Sequence, residues 1–176
     1  MKIVIVNGSP RKGNTYAALE AFAKGAEEKH EVEVIGADKL NISGCKGCGV
    51  CQCQKGCVAK DDTNATIDKL VAADMIVFGT LVYWWGMSAQ LKLVIDKCYC
   101  RGILLKQKKV GVIVTGGSPT DNIQYQLIQS QFECMAKYLG WDMKFFNSYY
   151  TQSLHDMEEK KDDLEELRQI GECVGQ

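Results

Sequence analysis

Apolar residues fall along this chain in two rhythms. Short, nearly continuous runs such as Ile3-Val4-Ile5-Val6, Met75-Ile76-Val77-Phe78 and Val110-Gly111-Val112-Ile113-Val114 suit strands buried on both faces. Between them, apolar positions recur at helical spacing. Ile128, Phe132, Met135 and Leu139 share one face, with Gly140 placed as a C-terminal stop. Leu164, Leu167 and Val174 give the last segment a single stripe. The alternation predicts strands near 2–6, 31–35, 74–79, 109–115 and 143–149, and helices near 15–28, 62–72, 88–100, 121–139 and 157–173. Five such units imply an α/β three-layer sandwich, a five-stranded parallel sheet with helices on both faces. With no sixth strand, the expected order is 2-1-3-4-5, and ligands are expected beyond the carboxyl ends of the first and third strands.

Composition narrows the function. The 176 residues make one domain's worth of chain, and no linker or repeat divides residues 1–176. Hydrophobic content of 46% and charged content of 24% are ordinary for a water-facing globular chain. A net charge of −1 advertises neither nucleic acid nor an anionic membrane as a partner. No apolar run approaches the roughly 20 residues needed to cross a bilayer, and the chain enters its first strand with no signal peptide ahead of it. Nine cysteines in a chain with its own core are expected to serve metal or redox chemistry in the cytoplasm rather than a disulfide framework.

The loop Asn7-Gly8-Ser9-Pro10-Arg11-Lys12-Gly13-Asn14-Thr15 joins the first strand to the first helix. Strand, glycine- and hydroxyl-rich loop and helix start together make a phosphate cradle. A helix dipole contributes only about 0.3–1 kcal/mol to a bound anion. Direct bonds from Ser9, Asn14, Thr15 and the backbone must supply the rest. Gly8 and Gly13 have the spacing of a nucleoside-triphosphate loop and Thr15 stands at the magnesium-binding hydroxyl, but Asn14 replaces the required lysine. No later strand ends in an aspartate suited to magnesium, and the G-x-G-x-x-G dinucleotide pattern is absent. Neutral donors without magnesium machinery suit a single terminal phosphate.

At these residues the chain resembles the flavodoxin-like NAD(P)H-dependent FMN reductases. The likeness continues at Val82-Tyr83-Trp84-Trp85-Gly86-Met87-Ser88-Ala89-Gln90-Leu91-Lys92, similar to the family's second flavin loop, and at Thr115-Gly116-Gly117, similar to its third. The resemblance implies a flavodoxin-like fold and FMN contacts at Ser9, Arg11, Asn14, Thr15, Val82, Tyr83, Trp84, Thr115, Gly116 and Gly117. The backbone from Leu81 to Trp84 is expected to bond the polar edge of the isoalloxazine. Gly116 and Gly117 allow close approach to the ring, and their N–H groups are placed to stabilise charge on the reduced flavin. Tyr83, Trp84 and Trp85 are expected either to flank the ring, to lie in the core, or to cover a neighbouring subunit.

The run Cys45-x2-Cys48-x2-Cys51-x5-Cys57 sits in a long insertion near 36–61. Three thiols at x2 spacing and a fourth soon after resemble a 4Fe–4S binding run, and the spacing is similar to that of the iron–sulfur flavoproteins. Free or redox-active thiols, or zinc, are the alternatives, and Cys53 is an extra thiol inside the run. Cys98, Cys100, Cys134 and Cys173 read as small buried hydrophobes. Asp61 or Asp62 reads as a helix cap. His30 and His155 are isolated and receive no catalytic role.

The resulting expectation is an FMN-dependent oxidoreductase with NAD(P)H as co-substrate, passing electrons to a flavin, quinone or other small-molecule or protein acceptor. The alternative is an iron–sulfur flavoprotein acting as an electron carrier fed by ferredoxin. No side chain need act as acid or base, because the cofactor carries the chemistry. The exposed aromatic rim suggests a homodimer or homotetramer.

Overall fold

A computed structural model describes residues 1–175. Five parallel strands form the central sheet: β1 (Lys2–Asn7), β2 (Glu31–Gly36), β3 (Met75–Tyr83), β5 (Lys109–Gly116) and β6 (Asp142–Tyr150). A two-residue strand that sequence periodicity did not reveal, β4 (Gly86–Met87), pairs antiparallel with the end of β3. Numbered with it, the sheet order is β2-β1-β3-β5-β6, so the five parallel strands follow the expected succession and β4 is the addition. β1 lies between β2 and β3, with Ile3 opposite both Val32 and Met75. The order therefore reverses beside β1, and a crevice opens beyond the ends of β1 and β3.

Strand alternation sends the β1 run to two cores. Val4 and Val6 pack with Ile67, Leu70, Phe78, Leu91, Val112 and Phe132 under α2 (Thr63–Ala72), α3 (Ala89–Lys97) and α4 (Ile123–Leu139). Ile3 and Ile5 pack with Leu19, Phe22, Val77, Ile113 and Leu167 under α1 (Asn14–Ala26) and α6 (Lys161–Cys173). Each fully buried side chain of this size contributes about 1.5–3 kcal/mol. Helices α1 and α6 approach closely because Gly25 faces the Arg168 carbonyl and Gly171 faces the Phe22 carbonyl; a Cβ at either would strike backbone. Gly140, left-handed at φ 66°, stops α4 as the pattern predicts.

Two expected helices are broken. The segment near 88–100 leaves α-geometry after Lys97 and continues as a 3-10 segment, Cys98–Leu105, kinked at Arg101. The segment near 157–173 divides into α5 (Asp156–Glu159) and α6, because Lys160 takes non-helical angles of φ −83° and ψ 72°. No helix among the described residues is long and apolar enough to cross a membrane.

Candidate flavin site

Four loops meet at the carboxyl rim of the sheet and enclose a cleft of about 170 Å³. Its walls include Ser9, Arg11, Asn14, Thr15, Leu81, Val82, Tyr83, Thr115, Gly116 and Gly117. These are ten of the eleven residues expected from sequence; Trp84 stands apart.

The first wall is fixed from behind. The Gly8 N–H donates to the Gly79 carbonyl at 2.8 Å, and the Ser88 hydroxyl donates to the Gly8 carbonyl at 2.7 Å. A Cβ at Gly8 would lie 2.7 Å from the Leu91 Cβ, so only glycine lets the loop seat there. The Asn7 side chain accepts from the Ser9 N–H at 2.9 Å, and the Ser9 hydroxyl donates to the Arg11 carbonyl at 3.0 Å. Thr15 and Thr115, both buried, join their hydroxyls at 2.7 Å, which ties the first loop to the third.

Helix α1 begins without a side-chain cap at Gly13, and its ladder starts with the Ala17 N–H donating to the Gly13 carbonyl at 2.9 Å. The N–H groups of Asn14, Thr15 and Tyr16 consequently have no acceptor among the described residues. Beside the cleft, three free N–H groups at a helix N-terminus are a donor set for an anion. Asn14, expected as a phosphate donor, lines the cleft and also makes bonds within the chain. Its amide donates to the Ser153 carbonyl at 2.6 Å and its oxygen accepts from the Met157 N–H at 2.9 Å, so the side chain bridges two parts of the chain.

The second wall is the β3–β4 hairpin. Tyr83 pairs with Gly86, leaving Trp84 and Trp85 as a two-residue turn with φ of 45° and 60°. Both angles are left-handed, as in a type I′ turn, where Asn-Gly is preferred. A residue with a Cβ held there costs about 1–2 kcal/mol. The turn projects outward: Trp84 is 91% exposed, which excludes the core for this residue. The third wall needs Gly116 without a side chain, since a Cβ would meet the Tyr125 hydroxyl at 2.8 Å and Val82 Cγ2 at 2.9 Å. Gly117 opens freely onto the cleft. The free donors, the hydroxyls and the close approach at Gly116 fit a phosphorylated flavin.

The fourth wall, Thr151-Gln152-Ser153, is absent from the sequence expectation. It carries no glycine pattern. Its only signal is position, since it follows the last parallel strand on the same rim.

The cysteine insertion presents a different picture. Cys45 and Cys48 are exposed, while Cys51, Cys53 and Cys57 are half-buried. Cys57 Sγ lies 3.6 Å from the ammonium of buried Lys97, which in turn is 3.8 Å from Asp61. Burial resists ionisation of Asp61, but hydrogen bonds from Thr63 and Ser43 outweigh it and hold the carboxyl well below its ordinary range. Asp61, rather than Asp62, is the carboxylate that accepts the Thr63 N–H at the start of α2, at 3.0 Å. Among the described residues no three Cys, His, Asp or Glu side chains are placed to hold a metal ion. The expected ligands Cys45, Cys48, Cys51 and Cys57 are therefore not gathered into one ligand set among the described residues. Of the helical cysteines, Cys100 is buried and Cys98 half-buried, its thiol pushed up to about 12 chiefly by burial. Cys134 and Cys173 are exposed, against expectation, because they lie on the outer faces of α4 and α6.

Comparison with known proteins agrees with the geometry. An iron-sulfur flavoprotein of Methanosarcina thermophila is 34% identical over 143 residues, covering 77% of this chain and 73% of that one. An iron-sulfur flavoprotein of Methanocaldococcus jannaschii is 36% identical over 122 residues, 67% of this chain, and the chain spans only 63% of that relative's length. In fold, the chain is similar to an NAD(P)H:quinone oxidoreductase from Methanothermobacter marburgensis, with a TM-score of 0.78 at 17% identity, covering 99% of this chain and 98% of that one. A flavodoxin from the domain Archaea matches with a TM-score of 0.63 at 17% identity over 99% and 96% of the two chains. Residues 1–142 match the NADPH-dependent FMN reductase family, a span that contains the first three walls of the cleft and the cysteine insertion. The chain belongs to the NADPH-dependent FMN reductase family.

Proposed function

We propose that the protein is an FMN-dependent oxidoreductase that takes hydride from NAD(P)H and passes electrons to a flavin, quinone or other acceptor. The observation that carries this reading is the set of three free N–H groups at the start of α1, opening beside Thr15 onto a cleft walled by the β3 and β5 loops. When bound, FMN supplies the hydride and electron chemistry. The chain's part is to grip and orient it. Ser9, Thr15 and the first turn of α1 hold the phosphate, and Arg11 is the one cationic side chain among the described residues that line the cleft. Leu81, Val82 and Tyr83 contribute backbone to the ring edge, and Gly116 and Gly117 approach it closely. The test is titration of apo-protein with FMN and with riboflavin. Thr15→Ala is expected to weaken FMN by about tenfold or more while sparing riboflavin, since a bond to a charged group contributes about 1.5–3 kcal/mol. Equal loss of both ligands would move the phosphate elsewhere.

A second reading is an electron carrier fed by ferredoxin, with a 4Fe–4S cluster on Cys45, Cys48, Cys51 and Cys57. It draws on the names of the archaeal relatives. The thiols would have to converge from their present places, so no electron-transfer step is assigned to them. Anaerobic protein with about four irons, lost in Cys48→Ser with FMN retained, would establish the carrier reading. An iron-free, yellow protein that oxidises NAD(P)H would remove it.

Both readings include a homo-oligomer. Trp84 and Trp85 project from a strained turn, and an apolar groove of about 1100 Å³ runs from Met87 between α3, the 3-10 segment and α4. Lys92, Asp96 and Lys106 line it, Lys92 and Asp96 paired with each other, so its floor is apolar and its rim polar, as in an interface between copies. A monomer by light scattering at micromolar concentration would contradict this.

A further inference from the structure

The segment after β6 is clamped more tightly than a surface connection requires. Three parts of the molecule hold it. The Thr151 N–H donates to the Gly116 carbonyl at 2.8 Å, joining it to the third wall. The Asn14 amide donates to the Ser153 carbonyl at 2.6 Å, joining it to the first. Asp156 gathers it from below, accepting the N–H groups of Gln152 at 2.5 Å and Ser153 at 2.9 Å, and the Ser153 hydroxyl as well. These donors hold the Asp156 carboxyl below its ordinary range, the Ser153 hydroxyl first among them. Gly13 allows the approach, because a Cβ there would lie 2.6 Å from Leu154 Cδ1 and 2.8 Å from its carbonyl.

The backbone of Gln152 is thus fixed, and the residue lines the cleft with Arg11, Asn14 and Thr15, while its side-chain amide, on an exposed residue, has no hydrogen-bond partner among the described residues. A neutral donor on a clamped backbone at the edge of an anion site has the chemistry of a ligand group. We propose that Thr151–Ser153 is a fourth flavin-binding loop, that the Gln152 amide donates to the FMN phosphate, and that Asn14 is a positioning residue holding this loop against the cradle. The proposal rests on the FMN reading above.

Fluorescence titration with FMN and riboflavin tests it. Gln152→Ala should raise the Kd for FMN about tenfold, as for a lost charge-assisted bond, and leave riboflavin within about twofold. Asn14→Ala should show the same selectivity, and Asn14→Ala/Gln152→Ala should bind FMN no more weakly than Asn14→Ala alone. Additive losses would mean that Asn14 contacts the phosphate itself and would overturn its positioning role. Equal weakening of FMN and riboflavin by Gln152→Ala would overturn the phosphate assignment. Thr15→Ala separates the two levels of the argument. If it discriminates FMN from riboflavin and Gln152→Ala does not, the fourth loop falls and the FMN reading stands. If Thr15→Ala does not discriminate, the FMN reading falls and takes the fourth loop with it.

Discussion

Two glycine-bearing loops leave neighbouring parallel strands of this protein and are held in opposite ways. The loop after β1, Gly8 to Gly13, is short and seated on the Gly79 carbonyl of β3 and the side chains of Ser88 and Leu91, with the Gly8 N–H and carbonyl both bonded and Gly13 close against Leu154. The loop after β2, from Gly36 to Asp61, is anchored at its ends. Asp61 and Asp62 accept the N–H groups of Ser43 and Asn41 at 3.1 and 2.8 Å. Its far side is tied to the 3-10 segment, where the Gly56 N–H donates to the Cys100 carbonyl at 3.3 Å and the Ile103 N–H to the Cys53 carbonyl at 3.2 Å. Between these anchors Gly47 and Gly49 adopt φ of 63° and 71° with nothing near. An anion site made of backbone N–H groups must be built before the ligand arrives, because its donors cannot swing. A thiol site can be assembled by side chains and loop together. On the readings proposed above, the first loop would carry its function in its fold, whereas the second would carry it in its residue types.

The largest expected effect is on the anchor of the second loop. Asp61→Asn removes the carboxylate facing Lys97, which is 3% exposed, and leaves a buried ammonium without its partner. A loss of about 3 kcal/mol is expected in urea unfolding. The wild-type carboxyl is depressed in the folded state, so its contribution is present above the unfolded value of about 3.9 and is lost as pH falls below it. Asp61→Asn should therefore flatten the acid limb of the stability profile. FMN affinity should not move. A variant that lost FMN binding would show that the two loops are coupled.

The second test strikes the first loop. Gly8→Ala places a Cβ 2.8 Å from the Ser88 hydroxyl and 2.9 Å from the Gly79 carbonyl, where strand backbone cannot yield. Overpacking of this kind costs about 1–3 kcal/mol, and here the distortion falls on the cradle. Stability and FMN affinity should drop together, and the reactivity of Cys45 and Cys48 toward a thiol reagent should stay as it was.

The same contrast governs what could be read from sequence. The strand runs Ile3–Val6 and Met75–Phe78 announced themselves because burial on both faces leaves no polar position. Ten of the cleft residues followed, since the loops after such strands share one rim. The fourth wall was not legible, because the bond from the Asn14 amide to the Ser153 carbonyl spans 139 residues of sequence. The Trp84-Trp85 turn was hidden for another reason. It lacks the Asn-Gly pair that marks a type I′ hairpin, and the two-residue β4 is too short for an alternation to show. The end of α3 at Lys97 depends on the cysteine loop, because the Cys100 carbonyl and the Ile103 N–H are engaged by Gly56 and Cys53. Local pattern finds what local burial dictates and misses what distant partners impose.

The smallest effect is the most discriminating. Gly49→Ala adds a methyl to open space, so no packing term opposes it. Only the left-handed backbone at φ 71° does, and that costs an L-residue about 1 kcal/mol relative to glycine. For a domain of this size the thermal midpoint should fall by about 2–4 °C, with FMN affinity unchanged. Gly8→Ala and Gly49→Ala are the same chemical change, made in two loops that leave adjacent strands. If they cost the same, the distinction between a seated loop and a suspended one has no energetic content. If Gly49→Ala costs more in iron-loaded than in iron-free protein, the loop tightens around a cluster, and the carrier reading gains a structural basis that the present placement of the thiols does not supply.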